Sequence, residues 1–117
     1  MLQKNIRIAG ITKEDRHKTI DYTVSCINSC SGWVMNHTMF SNSAICINFQ
    51  IEAQGVNKLL KLLNNGINLT KESIEIMDNF PENIEDENKH KEILGAINIT
   101  FVHNDPDLKI ITPAVPG

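Results

Sequence analysis

Aromatic side chains are scarce in this chain, with Phe, Trp and Tyr making up 5% of 117 residues. A chain of that length is large enough to bury a core without disulfide or metal staples. The core must then be aliphatic, built on Ile, Leu, Val and Met. A basic stripe is also missing. There are 11 Lys and Arg against 14 Asp and Glu, a formal charge of -3. Proteins that hold nucleic acid neutralise phosphates with clustered cations, so nucleic acid is not an expected partner. No apolar run approaches the roughly 18 residues of a membrane span, and no membrane association is expected. The opening "MLQKNIRIAG" lacks the apolar stretch of a secretory signal. Three cysteines, Cys26, Cys30 and Cys46, form an odd set without framework spacing. The expectation is a cytoplasmic chain with reduced thiols.

What is present reads as a single domain, 1–117. Its core is expected over residues 5–103, with an acidic mobile loop at 82–92 and a C-terminal extension from 104 to 117. "NIRIAGI" alternates Ile6 and Ile8 with Arg7 and Ala9, a short strand. In "TKEDRHKTIDYTVSCINSCSG", Thr12 is the expected N-cap, Ile20, Val24 and Ile27 the buried stripe and Gly32 the stop. Cys26 lies off that stripe and is expected to face outward.

"SAICINFQIE" carries the cleanest period of two in the chain. Ile45, Ile47, Phe49 and Ile51 alternate with Cys46, Asn48, Gln50 and Glu52. A turn at Ser41–Ser43 would pair Met39 with Ile45, His37 with Ile47 and Met35 with Phe49. That register puts Trp33, Met35, His37 and Met39 on the buried side. "QGVNKLLKLLNNG" is a helix burying Val56, Leu59, Leu60 and Leu63 and ending at Gly66. "LTKESIEIMDNFP" is a shorter helix capped by Thr70, with Ile74 and Met77 inward, and "ILGAINITFVH" is a long strand with Ile97, Ile99 and Phe101 inward. "NDPD" is a turn by composition; "LKIIT" is read as a short returning strand and "PAVPG" as an extended tail.

The resulting order, β-α-β-β-α-β, fits an α+β, ferredoxin-like sandwich. Four antiparallel strands would carry two helices on one face, with the first and third strands central. "EDRHKTIDYTVSCINSCSGWVMNHTMFSNSAICINFQI" followed by "VNKLLKLLNNG" resembles an ACT-type regulatory domain in the length and order of its elements. The resemblance implies paired domains that bind an amino acid at their interface. The chain departs from that family at "GITKEDRH", where no glycine follows Asp15 at the helix start, so no ligand-binding residue carries over.

Cys46 and His37 sit on opposite faces of one hairpin in the expected register and cannot form a nucleophile pair. Cys30 and His37 are the pair that geometry would permit, and they are the candidates if the protein is an enzyme. Cys26 and Cys30, four apart on a helix, could hold one edge of a metal site with His17 or His37 added, but a second close pair of ligands is missing. "HNDPD" offers too few ligands for calcium. No metal and no cofactor is expected.

The face of the sheet turned away from the helices is more informative. It is expected to carry Arg7, Asn36, Thr38, Cys46, Asn48, Asn98 and Thr100, with Ala9, Phe40 and Ala44 among them. Such a surface of donors and acceptors with one cation suits a small polar metabolite such as an amino acid, with Arg7 on its carboxylate. It also suits a second copy in a symmetric homodimer. The expected function is therefore a non-catalytic small-molecule-sensing or interaction module. An adaptor without a ligand and a small Cys/His-dependent enzyme are the alternatives.

Overall fold

In a computed structural model that describes residues 4–102, the chain forms one five-stranded sheet and three helices. In chain order these are β1 (Asn5–Thr12), α1 (Arg16–Ser29), β2 (Gly32–Ser41), β3 (Ala44–Glu52), α2 (Val56–Gly66), β4 (Asn68–Leu69), α3 (Lys71–Asn79) and β5 (Glu92–Phe101). A 3-10 turn at Ala53–Gly55 leads into α2. The readings of "HNDPD", "LKIIT" and "PAVPG" fall wholly or largely beyond Val102 and so lie outside the described residues. Among the described residues no helix is long and apolar enough to cross a membrane.

The α+β class holds, but the ferredoxin-like sheet does not. Strand order is β2-β3-β5-β1-β4, with β5 at the centre instead of β1 and β3. β1 and β5 run parallel over eight paired residues, while β3 is antiparallel to both β2 and β5. The expected strands and helices follow one another along the chain, with the short strand β4 as an unexpected addition before α3; the place where the last strand inserts also differs. β5 is apolar at Ile93, Ile97, Ile99 and Phe101, all buried. A strand whose buried face is this apolar gains most between two neighbours, each of which covers one flank of those side chains.

The registers line up side chains in rows across four strands. On the helix side, His37, Ile47, Ile97 and Ile8 form one row, and Val34, Phe49, Gly95 and Ile6 the next. Phe49 has no exposed surface, and its ring lies where a Gly95 side chain would be: a Cβ there would come within 2.2 Å of it. Glycine thus makes room for the largest fully buried side chain. α2 contributes Val56, Leu59, Leu60 and Leu63, all fully buried, to the same core. Its N-terminal approach requires Gly55, since a Cβ there would stand 1.8 Å from the Cys30 carbonyl oxygen.

α1 is rotated from its expected pose. Its buried residues are Thr19, Thr23, Cys26 and Ile27, while Ile20 and Val24 are only half-buried. Cys26 therefore faces inward. α1 stands close to α2 at Gly66, where a Cβ would come within 2.5 Å of the Tyr22 ring, and the Thr23 hydroxyl is satisfied by donating to the Thr19 carbonyl at 2.8 Å. Asp15, not Thr12, is the N-cap, accepting from Lys18 N. Thr12 instead ends β1, buried, and its hydroxyl accepts from Glu14 N. At the far end, Ser31 takes the left-handed conformation (φ 65°) and Gly32 already belongs to β2.

Two shorter features complete the sheet. β4 pairs with β1 at Gly10 and Ile11. α3, capped by Thr70 as its sequence predicts, then lies along β1. The acidic loop is tied back to the 3-10 turn, Ala53 N–H donating to Lys91 O at 2.8 Å and Gln54 N–H to Lys89 O at 3.2 Å.

Candidate functional site

The odd-numbered side chains of Ile45–Ile51 lie beneath the helices, and their even-numbered neighbours look away from them. Arg7, Asn36, Thr38, Cys46, Asn48, Asn98 and Thr100 of the expected polar face, with Ala9 and Ala44, lie on this uncovered side. One row runs Thr38, Cys46, Asn98, Ala9; the next runs Asn36, Asn48, Ala96, Arg7. Thr100 stands beyond the first row, beside Ile11 on β1 and Ala44 on β3. Arg7, Asn36, Thr38, Asn98 and Thr100 are exposed, and Cys46 and Asn48 half-buried.

The face is also more apolar than its sequence pattern suggested. Register shifts in β2 fall between Val34 and Asn36 and between Met39 and Ser41. The first of these bulges brings Val34, not Met35, opposite Phe49, and Trp33 opposite Gln50. Trp33 and Met35 therefore stand on the uncovered side, contrary to the simple alternation, while His37 and Met39 keep their expected pairing. A bulge adds one residue and reverses the parity of everything before it. Leu94 and Ile11, both about half exposed, add to the apolar surface.

Within this face lies a shallow depression of about 560 Å³. Ala96 sits on its floor, between Asn48 and Arg7 in the row across the strands. Asn36 and Asn48 form one wall, joined by an Nδ2–H···Oδ1 bond of 2.8 Å. That bond fixes the two amides and leaves Asn36 Nδ2 and a lone pair of Asn48 Oδ1 for other partners. Met35 and Leu94 form an apolar rim. Arg7 supplies the cation and has no ion-pair partner among the described residues.

A second hollow, of about 840 Å³, lies on the helix side at the tip of the β2–β3 hairpin. Arg16, His17 and Ile20 of α1 line it with His37, Met39 and Phe40 of β2. Phe40 thus belongs here, not to the polar face, because the second bulge turns it. The sequence pointed to His17 and His37 only as separate partners for the cysteines. The structure gathers them with each other, a grouping that depends on how α1 crosses the hairpin.

Cys30 and His37 are not brought together. Cys30 closes the C-terminal end of α1, buried, its Sγ 3.8 Å from Ser29 Oγ. His37 is exposed and shares its hollow with the first turn of α1, about 20 Å away at 1.5 Å rise per residue. Burial pushes the Cys26 thiol above its ordinary range, with the neighbouring Cys30 adding to the shift against a hydrogen bond with Tyr22 that opposes it. A thiol held protonated at neutral pH is a poor nucleophile. Tyr22 is likewise pushed up, first by burial, and its hydroxyl donates to the Leu62 carbonyl. Among the described residues no three His, Cys, Asp or Glu side chains cluster closely enough to hold a metal ion.

Comparison with protein-family models, with curated proteins and with solved structures finds no match for this chain.

Proposed function

We propose that the protein is a non-catalytic module that binds a small polar metabolite bearing a carboxylate, such as an amino acid, in the depression around Ala96. The observation that carries this reading is the company Arg7 keeps. It is a lone guanidinium at one side of a hollow whose opposite wall is a hydrogen-bonded pair of amides. A guanidinium receives a carboxylate through two parallel N–H···O bonds, and amides complement the polar remainder of such a molecule. The apolar rim of Met35 and Leu94 suits its hydrocarbon part. The hollow's volume falls within the roughly 300–1,000 Å³ of small-molecule sites.

A thermal-shift screen against amino acids and related carboxylates, run on the chain and on Arg7→Gln, tests the reading. A ligand at ten times its Kd stabilises the native state by about 1.4 kcal/mol, a rise in melting temperature on the order of 5 °C for a domain of this size. The expected result is such a rise for at least one carboxylate, lost in Arg7→Gln. No rise across the screen, or an equal rise in the variant, overturns it and leaves the adaptor reading.

A further inference from the structure

The exposed hydrophobic side chains are not spread over the molecule. Of the six large ones among the described residues, four lie on β2: Trp33 (44% exposed), Met35 (52%), Met39 (41%) and Phe40 (67%). They also lie on both faces of that strand. Trp33 and Met35 stand on the uncovered side of the sheet, Met39 and Phe40 on the helix side. β2 is the outermost strand, hydrogen-bonded to β3 alone. It runs ten residues, "GWVMNHTMFS", without a Lys, Arg, Asp, Glu or Pro.

Long outer strands are ordinarily guarded by charge, by proline or by a covering segment, because their free N–H and C=O groups template pairing with another chain. The opposite edge of this sheet is guarded. β2 has only its two bulges, and between them Asn36–Met39 keeps regular pairing with β3. From this we infer that β2 pairs edge to edge with β2 of a second copy, making one continuous ten-stranded sheet.

The distribution of apolar side chains favours this geometry over stacking of the two uncovered faces. Stacking would cover Trp33 and Met35 and leave Met39 and Phe40 in water. Edge pairing brings a partner strand alongside β2, so apolar groups on both of its faces gain neighbours. The strand has no Lys, Arg, Asp or Glu to set like against like across a two-fold axis. Strand addition of this kind draws affinity from backbone hydrogen bonds and selectivity from the flanking side chains.

Sedimentation of the full chain from low micromolar to sub-millimolar concentration tests the inference, with two variants beside it. Met39→Lys/Phe40→Lys places like charges on the edge and should weaken dimerisation at least about tenfold, since facing charges cost more than 1.4 kcal/mol. Leu94→Lys charges the uncovered face and should leave the dimer intact. A chain that stays monomeric throughout, or a dimer that survives the double variant, overturns the inference, as does a dimer lost in Leu94→Lys. Should the double variant not fold, hydrogen exchange of the unaltered chain decides. Amides of Asn36–Met39 should slow as concentration rises, and exchange that ignores concentration overturns the proposal. The ligand screen run at low micromolar concentration, on the monomer, fails or succeeds independently of this result.

Discussion

At one edge of the sheet, β1 gives its outward backbone groups to partners from later in the chain. Gly10 and Ile11 pair with β4. Beyond them the Ser73 hydroxyl accepts from Ala9 N–H at 2.8 Å and donates to Ala9 O at 3.2 Å, and Thr70 N–H reaches the same carbonyl at 2.8 Å. One serine, buried in α3, thus does the work of a missing strand residue. At the other edge β2 has nothing comparable among the described residues. Two edges of the same sheet therefore differ in kind. One is closed by the chain itself, and the other keeps its hydrogen-bonding groups and four large apolar side chains facing water. An edge left in that state in a stable fold is where a partner is to be sought.

The largest expected effect removes what both edges share. Phe49→Ala empties the centre of the core and should destabilise the fold by about 3–5 kcal/mol, read from urea unfolding. A smaller value would mean that the two edges are held independently of the central rows. At the closed edge, Ser73→Ala leaves the Ala9 amide without its partner and should cost about 1–3 kcal/mol. Faster hydrogen exchange at Ala9 is the accompanying signature, and unchanged exchange would show that this edge is closed by β4 alone. At the open edge, Met39→Lys in the dilute chain should change stability by no more than about 0.5 kcal/mol. A cost equal to that of Ser73→Ala would erase the contrast.

The smallest effect lies where β3 ends. His90, then Gln54, hold the Glu52 carboxyl below its ordinary range by hydrogen bonding, and Glu92 stands opposite Glu52 on β5. A lowered folded value means that the contribution is present above the unfolded carboxylate range. It is lost as pH falls through the folded value. Acid titration of the unfolding midpoint should therefore show a shallow loss below about pH 4.3, and His90→Ala should flatten it.

Much of this was legible along the chain. The alternation in "AICINFQIE" and the 3.6-residue stripe in "VNKLLKLL" each depend on one element and one apolar neighbour, and both lie as their periods require. The rows bearing Arg7, Asn36, Asn48 and Asn98 follow from that alternation once pairing is known. Trp33, Met35 and Phe40 could not be placed, because a bulge changes parity without any residue type that announces it. Cys26 faces inward because the buried stripe of α1 runs through Thr19, Thr23, Cys26 and Ile27, and which stripe a weakly amphipathic helix buries depends on the elements it packs against and not on α1 alone.

The sequence by itself determined which residues of β3, α2 and β5 leave water, because burial of apolar side chains at period two or 3.6 is a local property of each of those segments. Only the tertiary structure decided that β5 enters between β3 and β1, that β1 is closed by Ser73 and that β2 is not. Those outcomes are settled by competition among strands for neighbours, and that competition exists only when all of them are present at once.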